Sequence, residues 1–249
     1  MAGRTRYAVV SCHVERPLDD AVWGRFTELQ ERRPGGFPVA ALIRSPDPGH
    51  GEDETAWLAR ARQAAARGPL GQHTHWTAPD HARPTSGEPA ARVLDEARRW
   101  RELGLAPTLF CGGGWYSDLG VAEACAELGY VDCTPTAYRP GYLPAGAPRL
   151  ALAEPSQIAL PSGRMLLAIP STHSLGMLAR EVLVPTGLRA TVVHVHFHDT
   201  DLVDARRRTV LVWALRALRC RGSVADLDQL AGLLPGTAPE RVFAEVAAG

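Results

Sequence analysis

The segment VVHVHFHDTD, Val192–Asp201, constrains this chain more than any other. Successive side chains of a strand point to opposite faces, so His194, His196 and His198 share one side while Val193, Val195 and Phe197 share the other. A sheet face lined with imidazole is costly to bury unless each ring has a partner. A hydrogen-bonding neighbour, a metal ion or a reacting substrate can serve. The apolar face is expected to pack outward on helices and the histidines to point inward.

Six of the nine histidines fall in three short segments. His13 lies one residue from Glu15 in RYAVVSCHVE, His73 and His75 form a second H-x-H in GPLGQHTHW, and the third segment is the histidine strand itself. Each segment follows a candidate strand. Residues so distant in sequence meet if their strands are neighbours in one sheet or barrel whose ends open on a common site, the geometry a mononuclear metal site requires.

Strand and helix signals alternate along the chain. Tyr7 to Cys12, Pro38 to Ile43, PLGQHTH, Pro107 to Cys111, Tyr130 to Cys133 and Ala190 to His198 read as strands. Helices are expected from Asp19 and Asp20 through Leu29, over Glu52 to Arg67, Pro89 to Leu103, Leu119 to Leu128, His173 to Arg180 and Asp201 to Arg219. Gln157 to Leu160 and Arg164 to Ile169 resemble a hairpin around Pro161, Ser162 and Gly163. This is the pattern of an α/β fold with a parallel sheet closed, or nearly closed, into a barrel. No linker or composition break divides the 249 residues, so residues 1–249 are expected to form a single domain.

Composition excludes several functions. With 27 basic and 27 acidic residues, no global field favours nucleic acid or an anionic membrane. Arg206, Arg207 and Arg208 are the densest basic run and read as the solvated face of a helix. The first apolar run is too short for a signal peptide and no span reaches about 20 apolar residues, so a cytoplasmic location is expected. Five cysteines without a C-x-x-C pair fit reduced thiols, with Cys125 and Cys220 read as small core residues of helices.

Taken in order, these segments resemble the polysaccharide deacetylases, the NodB-homology or carbohydrate esterase family 4 group, which share a distorted (β/α) barrel. The family's first-strand D-x-D or D-x-E motif, a catalytic base followed by a metal ligand, is matched by His13-Val14-Glu15, with histidine where the base is usually aspartate. Its second motif, G-x-H followed by another histidine, resembles Gly71-Gln72-His73-Thr74-His75-Trp76-Thr77. There Thr77 stands at the usual second ligand position and His75 is the available substitute. The third motif resembles Phe110-Cys111-Gly112-Gly113-Gly114-Trp115, with Cys111 replacing an arginine, and the last resembles Val195-His196-Phe197-His198-Asp199.

The resemblance implies a metal-dependent hydrolase removing an acyl group from an N-acylated amino sugar or related small polar amide. Glu15, His73 and His75 would hold a divalent ion, for which zinc suits the imidazole and carboxylate donors. His13 would act as base and His198 as general acid, with Asp199 fixing its tautomer and His196 reinforcing that role or adding a ligand. Gly113, with Gly112 and Gly114, could present backbone N–H groups to an oxyanion, or form a plain turn. Trp76 and Trp115 could form a platform for a sugar ring, Cys111 could ligate or attack, and Asp80 with His81 reads as a solvated loop. His194 reads as a buried, hydrogen-bonded residue. A barrel that binds a ligand or partner without hydrolysis, and another kind of H-x-H barrel hydrolase, remain open.

Overall fold

The computed structural model describes residues 7–76, 84–141, 143, 145–184 and 190–248. Thr77, Asp80 and His81 lie outside them. The strands are β1 (Tyr7–Val14), β2 (Val39–Arg44), β3 (Leu70–Thr74), β4 (Leu109–Gly112), β5 (Val131–Asp132), β6 (Arg149–Leu150), β7 (Ser156–Ala159), β8 (Met165–Ala168), β9 (His173–Ser174), β10 (Val192–His198), β11 (Ser223–Val224), β12 (Glu240–Val242) and β13 (Ala247–Ala248). The helices are α1 (Asp20–Arg32), α2 (Glu54–Ala65), α3 (Pro89–Glu102), α4 (Leu119–Leu128), α5 (Leu175–Glu181), α6 (Ala205–Arg219), α7 (Leu227–Leu233) and α8 (Phe243–Val246).

A mostly parallel sheet runs in the order β12-β7-β8-β5-β4-β3-β2-β1-β10-β9, with β11 pairing β1 and with β7 and β8 antiparallel as the hairpin. This ladder is an open path ending at β9 and β12. Beyond it, Ile169 N donates to Asp132 O, Ser171 N to Pro135 O and Thr172 N to His194 O. The segment between β8 and β9 therefore bonds to the β5 side and to β10.

Aspartate caps set where most of the long helices begin. Asp19, Asp53, Asp118 and Asp204 each accept backbone N–H bonds in the first turn of α1, α2, α4 and α6. The cap at Asp204 explains why the helix expected from Asp201 starts at Ala205, after a separate 3-10 turn at Asp199–Leu202. Similarly, His173 and Ser174 pair with β10 as a strand, and Ser174 caps α5 behind them. Cys220 is exposed at the end of α6, where burial was expected; Cys12, Cys111, Cys125 and Cys133 are buried free thiols.

The outer face of the sheet forms the larger core. Val10, Cys12 and Val14 of β1 and Val193, Val195 and Phe197 of β10 pack with Trp23 and Phe26 of α1, Trp57 of α2 and Leu211, Leu215 and Leu218 of α6. Each of these large side chains contributes about 1.5–3 kcal/mol by leaving water. The inner face carries Val9, Ala40, Leu42, Leu109 and Cys111 lower down. Polar residues follow toward the carboxyl ends of the strands. Among the described residues no helix is long and apolar enough to cross a membrane.

Candidate metal centre and active-site cleft

Strand register assembles the site. β1 and β10 pair with Val9 opposite His194, Ser11 opposite His196 and His13 opposite His198. β3 and β4 pair with His73 opposite Cys111. Registered residues of parallel strands share a face, so these side chains converge at the carboxyl end of the sheet, where α/β folds place ligands. Close packing beneath them explains a glycine: a Cβ on Gly71 would lie 2.3 Å from Leu42 Cδ2 and 2.8 Å from Leu109 Cβ. Only glycine lets β3 approach and carry His73 upward.

Glu15, just past β1, is the hub. Its Oε1 lies 3.0 Å from His73 Nε2 and 3.9 Å from His198 Nε2, and its Oε2 lies 2.5 Å from His75 Nε2. His73 Nδ1 donates to Cys111 O at 2.9 Å, which turns Nε2 toward the carboxylate. Burial alone would lower the basicity of His73, but Glu15 reverses this and raises it; the two histidines hold the Glu15 carboxyl well below the usual range despite its burial. With Nδ1–H committed, a neutral His73 and Glu15 would present lone pairs to one another. A cation between them relieves this, either as a proton on the ring or as a metal ion.

The donor set fits a metal. Glu15, His73 and His75 offer one carboxylate oxygen and two imidazole nitrogens within 4.8 Å of one another, with a backbone carbonyl orienting His73 from behind. His13 with Glu15 and His198, and His13 with His73 and Cys111, cluster equally closely.

His13 sits at the centre of the ring cluster, 1% exposed, its centroid 4.8 Å from that of His73, 5.1 Å from that of His198 and 5.7 Å from that of His196. Burial and then the neighbouring histidines hold it well below the ordinary histidine range, so its ring is neutral at pH 7. Its Nε2 lies 3.6 Å from Cys111 Sγ. Burial pushes that thiol up, which keeps it protonated.

His196 Nε2 meets the Tyr138 hydroxyl at 3.1 Å, while its Nδ1 is buried with no hydrogen-bond partner among the described residues. His198 is half-buried at the mouth, where burial lowers its basicity and Glu15 and Asp201 partly restore it. His194 lies deepest, as expected of a core histidine: Nε2 contacts Ser11 Oγ at 2.8 Å and Nδ1 faces Ile169 O at 3.3 Å. Burial pushes it down to about 4.

Other expected site residues have different surroundings. Asp199 is not the carboxylate beside His198; it accepts from Arg16 N at 2.9 Å and Thr200 N at 2.8 Å, tying the exits of β1 and β10 together. Burial raises it to about 6. Asp201 takes the place beside His198, its Oδ2 accepting from His198 N at 3.0 Å and lying 4.0 Å from Nδ1. The three-residue spacing of a capping turn was the available signal for it. Trp76 is buried and donates from Nε1 to Gly113 O at 2.8 Å, so it anchors the Gly113–Trp115 turn. Gly112 N is likewise engaged, donating to Thr134 Oγ1.

Trp115 does reach the site. Held at φ 59°, in the left-handed region, it packs its indole 5.1 Å from His196 and 5.4 Å from His13, centroid to centroid. It walls a cleft of about 650 Å³ with Tyr138, Leu175, His196 and His198. Tyr138, in an irregular Pro-rich stretch, carried no periodic signal. A larger depression of about 760 Å³ between α2 and α3 has no histidine among the described residues that line it.

No family model and no curated protein matches this sequence. Three solved structures are similar in fold. A 4-α-glucanotransferase from Thermococcus litoralis superposes with a TM-score of 0.60 at 13% identity over 96% of this chain and 42% of its own, so the present chain spans less than half of it. A protein described as a polysaccharide deacetylase involved in O-antigen biosynthesis, from Bordetella bronchiseptica, gives 0.50 at 14% identity over 88% of this chain and 92% of its own. A protein described as a cellobiose-phosphate cleavage protein, from Enterococcus faecalis, gives 0.50 at 12% identity over 91% and 99%. At these identities the likeness is one of fold.

Proposed function

We propose that this chain is a metal-dependent hydrolase that removes an acyl group from an N-acylated amino sugar or related small polar amide. In this reading residues 1–249 form one divergent barrel of the polysaccharide deacetylase type, with the 169–172 segment linking β5 to β10. The observation that carries it is the Glu15 carboxylate facing His73 Nε2 and His75 Nε2, with His73 held from behind by Cys111 O. The deacetylase among the similar folds supports it.

Glu15, His73 and His75 would hold the ion, and zinc matches their chemistry. Such an ion, when bound, polarises a carbonyl and brings the pKa of water toward about 7. The chain's own groups do the rest. His13, neutral and within the ring cluster, accepts a proton at a ring nitrogen. His198, at the cleft mouth, delivers one to the leaving amine from the ring edge that faces Glu15. Tyr138 orients His196, and Trp115 and Tyr138 keep bulk water from the floor of the cleft.

The test is metal content by mass spectrometry together with acetate release from N-acetylglucosamine and its derivatives. One zinc per chain is expected, lost in both His73→Ala and Glu15→Ala with the fold retained. A full equivalent in both variants refutes the ligand set. A ligand-binding barrel without hydrolysis is the second reading, favoured by the burial of His13 beneath Trp115 and His196. Stoichiometric zinc without acyl release from any acylated amino sugar would establish it.

A further inference from the structure

We propose that the cleft above His196 and His198 selects an anionic acylated sugar, one bearing a phosphate or a carboxylate, with Arg206 and Arg207 holding the charge. This rests on the deacylase reading and adds its substrate class. Three features of the cleft point to it.

First, its described lining carries three guanidinium groups and one carboxylate although the chain as a whole is neutral. Arg206 and Arg207, in the first turn of α6, line the cleft, as does Arg139. Among the described lining residues the only carboxylate is Asp201, and both its oxygens are engaged: Oδ2 with His198 N, Oδ1 with Arg207 Nη1 at 2.6 Å. Asp204, which caps α6 outside the cleft lining, offsets part of the charge of Arg206 and Arg207; within the described lining the guanidinium groups still outnumber the one carboxylate. Concave walls concentrate that field.

Second, the helix end is not itself the attraction. The backbone N–H groups of Arg206 and Arg207 are capped by Asp204 Oδ1 at 2.7 and 3.0 Å. Binding therefore falls to the side-chain forks, whose planar donors match phosphate and carboxylate oxygens.

Third, the rest of the cleft suits a sugar. Its volume of about 650 Å³ lies within the usual range for small-molecule sites. One wall is Trp115, kept in a left-handed backbone conformation that a non-glycine residue adopts at a cost. That conformation packs the indole against His13 and His196, so it forms a mostly buried wall that holds the reactive histidines at the edge of the cleft.

Calorimetry tests this, using zinc-loaded protein with N-acetylglucosamine, N-acetylglucosamine 1-phosphate and N-acetylglucosaminuronic acid. At least one charged sugar is expected to bind about tenfold or more tightly than the neutral one, since a charge-assisted contact is worth that much. Whichever charged arm gains more identifies the group. Arg206→Glu should abolish the gain while melting at the wild-type temperature, because its side chain is exposed. Equal binding of all three sugars, no binding of either charged sugar, or a preference that survives Arg206→Glu overturns the proposal. A charged sugar that binds through Arg206 but is not deacylated leaves the cleft assignment standing and removes the deacylase reading.

Discussion

His194 offers a direct measure of how this sheet buries imidazole. Its ring is fully buried, with Nδ1 facing Ile169 O and Nε2 against Ser11 Oγ, so one neutral tautomer satisfies both nitrogens: Nδ1–H donates and Nε2 accepts the Ser11 proton. Protonation would bury a charge and turn Ser11 around. Burial pushes the folded-state pKa down to about 4, against 6.5 for an ordinary histidine. Between those values the unfolded chain binds more protons than the folded one, so stability falls as pH falls through this window. Each unit is worth about 1.4 kcal/mol, which makes the His194 contribution to acid destabilisation about 2 kcal/mol at pH 5 and about 3 kcal/mol at pH 4. His194→Gln cannot titrate. Guanidinium unfolding of both proteins at pH 7.5, 6, 5 and 4, with a chelator in every sample, should therefore show the stability gap between wild type and variant shrinking by those amounts. The other histidines cancel in the difference. A gap that stays constant across pH refutes the buried neutral ring.

His13→Asp is expected to keep measurable acyl release, since aspartate is the usual base of the family that the sequence resembles, whereas His13→Ala should lose roughly 10²- to 10⁴-fold in rate; equal rates in wild type and the alanine variant would remove His13 from the chemistry. His198→Gln should lower kcat with zinc content unchanged and should abolish or shift the alkaline limb of the pH–rate profile, because a general acid works only while protonated. His196→Gln should cost less rate and more stability, being 4% exposed and bonded to Tyr138; an inactive His196→Gln beside a nearly normal His198→Gln would exchange the two roles.

Periodicity and punctuation made much of this architecture legible in the sequence. Alternation along Val192–His198 separates an apolar face from an imidazole face, because strand geometry allows no other division. Helix starts were legible at Asp19 and at Pro89, signals that act within a turn of chain, whereas the start expected at Asp201 lies at Ala205 behind the Asp204 cap. The proximity of Glu15 to His73 and His75 was also foreseeable, since all three lie at or just past the ends of strands that could share a sheet. The chain alone could not decide what depends on register and on groups that meet from distant segments. Asp199 and Asp201 are two residues apart and chemically identical, yet one staples β1 to β10 and the other faces His198, because the 3-10 turn after β10 rotates them onto different neighbours. Tyr138 reaches His196 from an irregular loop, and Trp76 turns away to anchor a backbone carbonyl while Trp115 enters the cleft. Local sequence determines which residues can share a face; only the packed sheet, by bringing strand ends together, decides which of them touch.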